Sequence, residues 1–149
     1  MKNLKEDKNL LHRDLCARLP YGVKLWHESY VDLITLHSID ATQFAVEISI
    51  DNSNSNTAFW NSIEQVKPYL FPLSSMTEEQ KIECFKGTDI ELDEHNEIWS
   101  TFPISNSDIV LTNLNNWLKV INWLNKNHFD YQGLIEKGLA IDATGLNIY

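Results

Sequence analysis

Leucines recur at helical spacing along the first twenty residues, with charged residues between them. Four of them fall on one face of a helix: Leu4, Leu11, Leu15 and Leu19. This spacing predicts an amphipathic α-helix over residues 4–19. Pro20 and Gly22 follow and end the helix.

Alternation of apolar and polar residues follows this helix. It is cleanest over residues 43–50 and partial over 23–26 and 30–39. The apolar positions of the clean segment share one face: Phe44, Val46, Ile48 and Ile50. One buried and one wetter face is typical of antiparallel strands, and the short connections predict a meander. The polar residues 51–57 then predict a loop.

Two helix starts are predicted by capping boxes, in which a hydroxyl residue precedes a glutamine by three positions. Ser62 and Gln65 predict a short helix that ends before Pro68. Thr77 and Gln80 predict a second helix. The residues between the two helices are predicted to be extended.

The strongest helical pattern lies near the C-terminus. Its apolar stripe consists of Leu114, Trp117, Leu118, Ile121 and Leu124. The stripe predicts a helix over residues 112–127 that forms the main wall of the core. Partial alternation predicts an edge hairpin over 88–102, while a helical turn over 129–137 and a short strand over 139–141 are predicted after the helix.

These elements predict an α+β fold in which a small, mainly antiparallel sheet packs against the amphipathic C-terminal helix and the N-terminal helix. The chain has 149 residues, of which 43% are hydrophobic and 11% aromatic. Because this is the size and composition of one ordinary domain, we expect a single globular domain over 1–149.

The charge balance narrows the classes of partner. Twelve basic and 21 acidic residues give a formal net charge of −9, which argues against binding to nucleic acids or anionic membranes. The chain shows no signal peptide, no apolar run that could span a membrane, and only two cysteines, Cys16 and Cys84. We therefore expect a cytoplasmic protein with reduced thiols.

The densest polar segment is a candidate metal site. Asp89, Glu91 and Asp93 would share one face of a strand, with His95 beside them, and carboxylates are preferred ligands of Mg²⁺ and Ca²⁺. We favour the alternative that these charges form a solvated face that protects a sheet edge. The sequence predicts no cofactor, since it lacks a phosphate-binding loop and a nucleophile elbow. A cysteine–histidine pair could form only through the fold.

Three of the five tryptophans are candidate binding residues: Trp26, Trp60 and Trp99. Trp60, beside the polar loop, and Trp99, beside the acidic segment, are the harder ones to bury. Tryptophan is a common anchor in protein interfaces. The alternative is that these side chains close the rim of the core.

Three stretches of sequence carry a resemblance: DLCARLPYGVKLW, KPYLFPLSSMTEEQ and NHFDYQGLIEKGLAI. Together they resemble a group of small uncharacterised proteins encoded by gut Bacteroidales, their phages and other mobile elements. The resemblance implies a bacterial or phage gene, and it carries no known activity and no functional residue.

The sequence favours a non-enzymatic protein that binds or regulates another protein, because it holds no complete catalytic constellation. One alternative is a metal-dependent hydrolase or nuclease-like enzyme that uses the cluster at Asp89, Glu91 and Asp93. Another is a small-molecule binder with an aromatic pocket.

Overall fold

The computed structural model describes residues 4–51, 58–88 and 107–149. The chain divides into two compact units, Met1–Ser75 with His128–Tyr149, and Met76–Asn127. The fold is α+β with a mainly antiparallel sheet, an N-terminal helix and a long helix near the C-terminus, which confirms the predicted class. The single domain stays a prediction.

The first unit begins with helix α1, Leu4–Arg18, which continues as a 3₁₀ turn over Leu19–Tyr21. The strands among its described residues are β1 Lys24–His27, β2 Ile34–Asp40, β3 Ala45–Ile50, β4 Ala58–Ser62, β5 Val66–Pro72, β6 Phe129–Asp130 and β7 Ile141–Asp142. Two further 3₁₀ turns flank β5, over Ile63–Gln65 and Leu73–Ser75.

The strands form one sheet in the order β4-β3-β2-β1-β5-β6, and β7 also pairs with β5. All pairings from β4 through β5 are antiparallel, whereas β6 and β7 run parallel to β5. The predicted meander is thus present as β1, β2 and β3. Strand β4 was not predicted, and it extends the meander by one strand to the end of this order.

The inner face of the sheet is covered by α1 because the helix presents an apolar stripe. Leu11 and Leu15 are buried on that stripe. They belong to a cluster that also contains Val23, Leu25, Ile34, Leu36, Val46, Ile48, Ile63 and Val66. Burial of one such side chain stabilises the fold by roughly 1.5–3 kcal/mol. Val46 and Ile48 are buried on the inner face, as the alternation in this segment predicted.

The outer face of the central strands is polar. Lys24 donates to the Thr35 hydroxyl at 2.8 Å and to the Asp51 carboxylate at 2.6 Å, and the Thr35 hydroxyl also donates to Asp51. Further along the same face, the Nε2 atom of His37 in β2 lies 2.7 Å from the Ser49 hydroxyl in β3. These cross-strand contacts account for the wetter face that the alternation indicated.

A tyrosine hydroxyl from the far end of the chain bridges β1 and β5. The register pairs Leu25 with Pro68, so Lys24 and Tyr69 would face each other one step further on. At that point the Tyr149 hydroxyl lies between the strands. It accepts from the Lys24 N–H at 3.1 Å and donates to the Tyr69 carbonyl at 2.8 Å, so both backbone groups are satisfied.

The second unit contains α2, Glu78–Phe85, and α3, Ser107–Lys126. The capping box that predicted α2 is present: the Thr77 hydroxyl accepts from the Gln80 N–H at 3.2 Å, and the Gln80 side chain accepts from the Thr77 N–H at 2.9 Å. Lys119 of α3 donates to the Gly87 carbonyl beyond α2 at 3.0 Å. Among the described residues, neither of these helices nor α1 is long and apolar enough to cross a membrane.

Candidate functional site

Strand β4 lies at the end of the sheet and forms the candidate site. It pairs with β3 on one side, and no described residue pairs with its other side. Phe59 and Trp60 suit extended backbone, and pairing of all five residues with β3 fixes the strand. It ends at Ser62, whose backbone N–H donates to the Gln65 side chain at 3.1 Å and starts the 3₁₀ turn. The capping box at this position was predicted, but it begins a single turn and not a helix.

The two aromatic side chains of β4 lie on opposite faces of the sheet. Phe59 pairs with the buried Ile48 and shares the inner face, whereas Trp60 pairs with Glu47 on the outer face. Phe59 is 40% exposed and Trp60 is 55% exposed. An edge strand normally carries charges or proline that prevent pairing with other chains. The sequence of β4, Ala58–Ser62, contains neither.

Of the carboxylates near β4, two are paired with lysines and the third, Glu47, lies next to Trp60 in the sheet. Asp51 is paired with Lys24 at 2.6 Å and Glu64 with Lys8 at 3.3 Å. Glu47, which is next to Trp60 in the sheet, accepts a hydrogen bond from the uncharged Ser38 hydroxyl at 2.6 Å. The outer face beside Trp60 therefore favours a positively charged partner group.

The other candidate residues are not brought to this edge. Trp26 lies in β1, where it pairs with Lys67 and is 38% exposed. Strands β2 and β3 separate it from β4, a distance of roughly 14 Å at the usual strand spacing. Trp99 and the predicted metal ligands Asp89, Glu91, Asp93 and His95 lie outside the described residues. Their roles stay predictions.

A buried ion pair joins α1 to β6. Arg18 donates to the Asp14 carboxylate at 2.8 and 3.0 Å and to the Phe129 carbonyl at 2.8 Å. Both charged side chains are fully buried. Gln132 donates to the same carboxylate at 2.9 Å, and the Tyr131 ring lies 5.7 Å from the guanidinium carbon. Because both charges are buried and bonded to groups of the protein itself, we assign the pair a structural role.

His128 lies beside this ion pair and is kept neutral. Its backbone adopts a positive φ of 61°, and its ring stacks on Tyr149 with 3.8 Å between ring centroids. Burial lowers the pKa of His128 from 6.5 to about 4, and the positive charges of Arg18 and Lys24 add to this effect. The imidazole therefore carries no charge at neutral pH.

Neither cysteine has the character of a catalytic nucleophile, which requires a lowered thiol pKa. Burial, with a smaller contribution from Glu83, raises the pKa of Cys84 to about 12. Partial burial also raises the pKa of Cys16. Within the described part of the chain, no three residues among histidine, cysteine, aspartate and glutamate are grouped to hold a metal ion.

A groove of about 470 Å³ lies between the first half of α1 and the turn before β7. Leucine, valine and lysine side chains dominate its lining, and the residues that line it include Leu4, Leu11, Val66, Lys8, Lys137 and Leu139. The volume is within the range of small-molecule sites. No aromatic residue lines this groove, so it is not the aromatic pocket that we predicted as one alternative.

Comparison of the chain with protein-family models, curated proteins and solved structures finds no match. The resemblance to small proteins of Bacteroidales and their phages therefore stays a prediction.

Proposed function

We propose that this protein is a protein-binding module, and that β4 adds an extended segment of a partner protein to the sheet. The observation that carries the proposal is an edge strand without charge or proline whose two aromatic side chains are both exposed. Trp60 is the one candidate binding residue from the sequence that belongs to this strand.

Strand addition uses groups that β4 already presents. The outer edge of a strand offers alternate backbone N–H and C=O groups, and an incoming strand satisfies them while its side chains enter sites on the two faces. Phe59 would contact the inner face of that strand and Trp60 the outer face, since the two residues point in opposite directions. Together they would bracket the added strand.

The Glu47 carboxylate beside Trp60 favours a partner segment that carries a positive charge. A lysine or arginine beside Trp60 would lie over the indole ring and extend toward Glu47, combining a cation–π contact with an ionic attraction. Pairing of β4 with a second copy would bring two Glu47 side chains and two chains of net charge −9 together, and like charges oppose such pairing.

The proposal is tested by selecting displayed ten-residue peptides on the full chain and measuring the dissociation constant of the winning sequences. We expect peptides rich in β-forming and basic residues. The substitution Trp60→Lys should weaken their binding at least about tenfold, because a central aromatic anchor contributes more than 1 kcal/mol. Trp26→Lys, on the same face in β1, is the matched control and should leave the affinity unchanged.

Amide hydrogen exchange provides an independent measure. Alternate amides of Ala58–Ser62 should gain protection in the complex, whereas those of β1 should not change. The proposal is wrong if the selected peptides bind Trp60→Lys as well as the original chain, or if sedimentation shows that β4 is occupied by a second copy.

A further inference from the structure

One hydrogen bond just beyond the end of β4 shows which backbone groups of the strand face away from β3. The Ile63 N–H donates to the Phe44 carbonyl at 2.9 Å. The register beside this bond pairs Ser62 with Ala45. In an antiparallel ladder, a pair flanked in this way does not exchange backbone hydrogen bonds itself. The N–H and C=O groups of Ser62 therefore point toward the free edge.

The same alternation holds along the rest of β4, because its register with β3 runs from Ser62 to Ala58 without a shift. Ala58, Trp60 and Ser62 direct their backbone groups outward, and the residues between them bond to β3. The Ser62 N–H is already used, since it donates to the Gln65 Oε1 at 3.1 Å. Within the described part of the chain, the free edge thus offers the N–H groups of Ala58 and Trp60.

The exposed Gln65 side chain closes one end of this edge. A strand that paired beyond Trp60 would find the Ser62 N–H occupied, and one carbonyl of that strand would lack a donor. At Ile63 the chain also leaves the sheet in a 3₁₀ turn. We therefore expect the added strand to be centred on Trp60 and its pairing to end at Ser62.

The two faces of β4 set the side chains that suit the positions next to Trp60 and Phe59. A residue directly opposite Trp60 shares the outer face with Glu47, where a positive charge is favoured. A residue opposite Phe59 lies on the inner face. The Phe59 ring is 40% exposed there, and aromatic rings pair favourably with β-branched side chains across strands.

We propose that the partner segment runs antiparallel to β4, with a basic residue directly opposite Trp60 and an apolar residue immediately after it, opposite Phe59. The assignment rests on the proposed strand addition and names the sequence that the edge selects. Antiparallel pairing is slightly more stable per residue than parallel pairing, and it is the arrangement of every pairing from β4 through β5. Gln65 is the residue that limits the length of the pairing.

An N-methyl scan tests the direction and the register. The probe is the tightest displayed peptide whose binding to the full chain is weakened by Trp60→Lys. In the antiparallel arrangement, the N–H of the residue opposite Trp60 donates to the Trp60 carbonyl, and the N–H groups of its two neighbours point away. N-methylation of the basic residue should weaken binding at least about fivefold through loss of that bond, and N-methylation of either neighbour less than about twofold.

Amide hydrogen exchange of the chain tests the role of Gln65. Binding of the same peptide should slow exchange at Ala58 and Trp60 and leave Ser62 unchanged. In Gln65→Ala the Ser62 N–H is released, so its exchange should slow on binding as well. The matched control is Gln65→Glu, which keeps an acceptor oxygen at this position and should behave as the original chain does.

The possible outcomes separate this inference from strand addition itself. If no selected peptide depends on Trp60, the proposed function is wrong, and the inference fails with it. If peptides depend on Trp60 but N-methylation of a neighbour is the harmful change, the partner runs parallel and only the inference is wrong. Slower exchange of Ser62 in the complex of the original chain would overturn the role of Gln65.

Discussion

Removal of Asp14 should destabilise the fold far more than removal of a surface carboxylate. Asp14→Leu leaves the Arg18 guanidinium fully buried with the Phe129 carbonyl as its remaining close acceptor. Loss of one partner from a buried ion pair costs about 3–5 kcal/mol, because the other charge stays desolvated. This is a large part of the 5–15 kcal/mol that typically holds a domain folded.

The double substitution Asp14→Leu with Arg18→Met should recover part of that loss. Burial, with a smaller contribution from the charge of Asp130, raises the pKa of Asp14 despite the hydrogen bonds and the charge of Arg18, so the surroundings as a whole disfavour the charged carboxylate. Asp14→Leu combined with Arg18→Met removes both desolvated charges. We expect the double variant to be more stable than Asp14→Leu but less stable than the original by about 1–3 kcal/mol, because the buried Phe129 carbonyl loses the Arg18 donor.

Urea denaturation followed by circular dichroism measures these differences. The matched control is Glu78→Ala, which breaks an ion pair with Lys81 whose carboxylate is mostly exposed and should cost less than about 1 kcal/mol. If Asp14→Leu costs no more than this control, or if the double variant is less stable than both single variants, then the assignment of a desolvated, structural ion pair is wrong.

Three further changes follow from contacts in the two units. Because the pKa of His128 falls from 6.5 to about 4 on folding, only the unfolded chain gains a proton between these values, and stability should drop by roughly 3 kcal/mol as the pH falls from 6.5 to 4. In His128→Asn, where asparagine tolerates the positive φ, the free energy of unfolding should change less between pH 6.5 and 4. An unchanged dependence on pH would show that His128 is not the group responsible. Tyr149→Phe should lower the free energy of unfolding by about 1–3 kcal/mol and accelerate hydrogen exchange of the Lys24 amide. An unchanged exchange rate at Lys24 would show that the Tyr149 hydroxyl does not bridge the two strands. Thr77→Ala should cost about 1 kcal/mol in urea through loss of the cap, against less than about 0.5 kcal/mol for exposed Ser74→Ala, and equal costs would argue against capping.

Local patterns predicted the elements that depend on local physics. Helix α1, the alternation in β3 and the capping box at Thr77 each follow from residues within a few positions of one another. The short helix expected after Ser62 is a 3₁₀ turn, because β5 already begins at Val66. Pairing with β1 extends this strand back before Pro68.

The candidate site was predicted only in part, through Trp60. Strand β4 has five residues and no alternation of apolar and polar positions, so its pairing with β3 decides its structure. The buried ion pair of Asp14 and Arg18 could not be predicted from the sequence either, since opposite charges four residues apart usually pair on the exposed surface of a helix.

The Tyr149 hydroxyl completes the contact between β1 and β5 only after the rest of the sheet has been synthesised. The hydroxyl donates to a carbonyl 80 residues earlier in the chain. At about 5–20 residues per second, a ribosome needs roughly 4–16 seconds to travel from one to the other. During that interval β1 and β5 can pair from Leu25 to His27, but the Lys24 N–H and the Tyr69 carbonyl are left to water until Tyr149 is made.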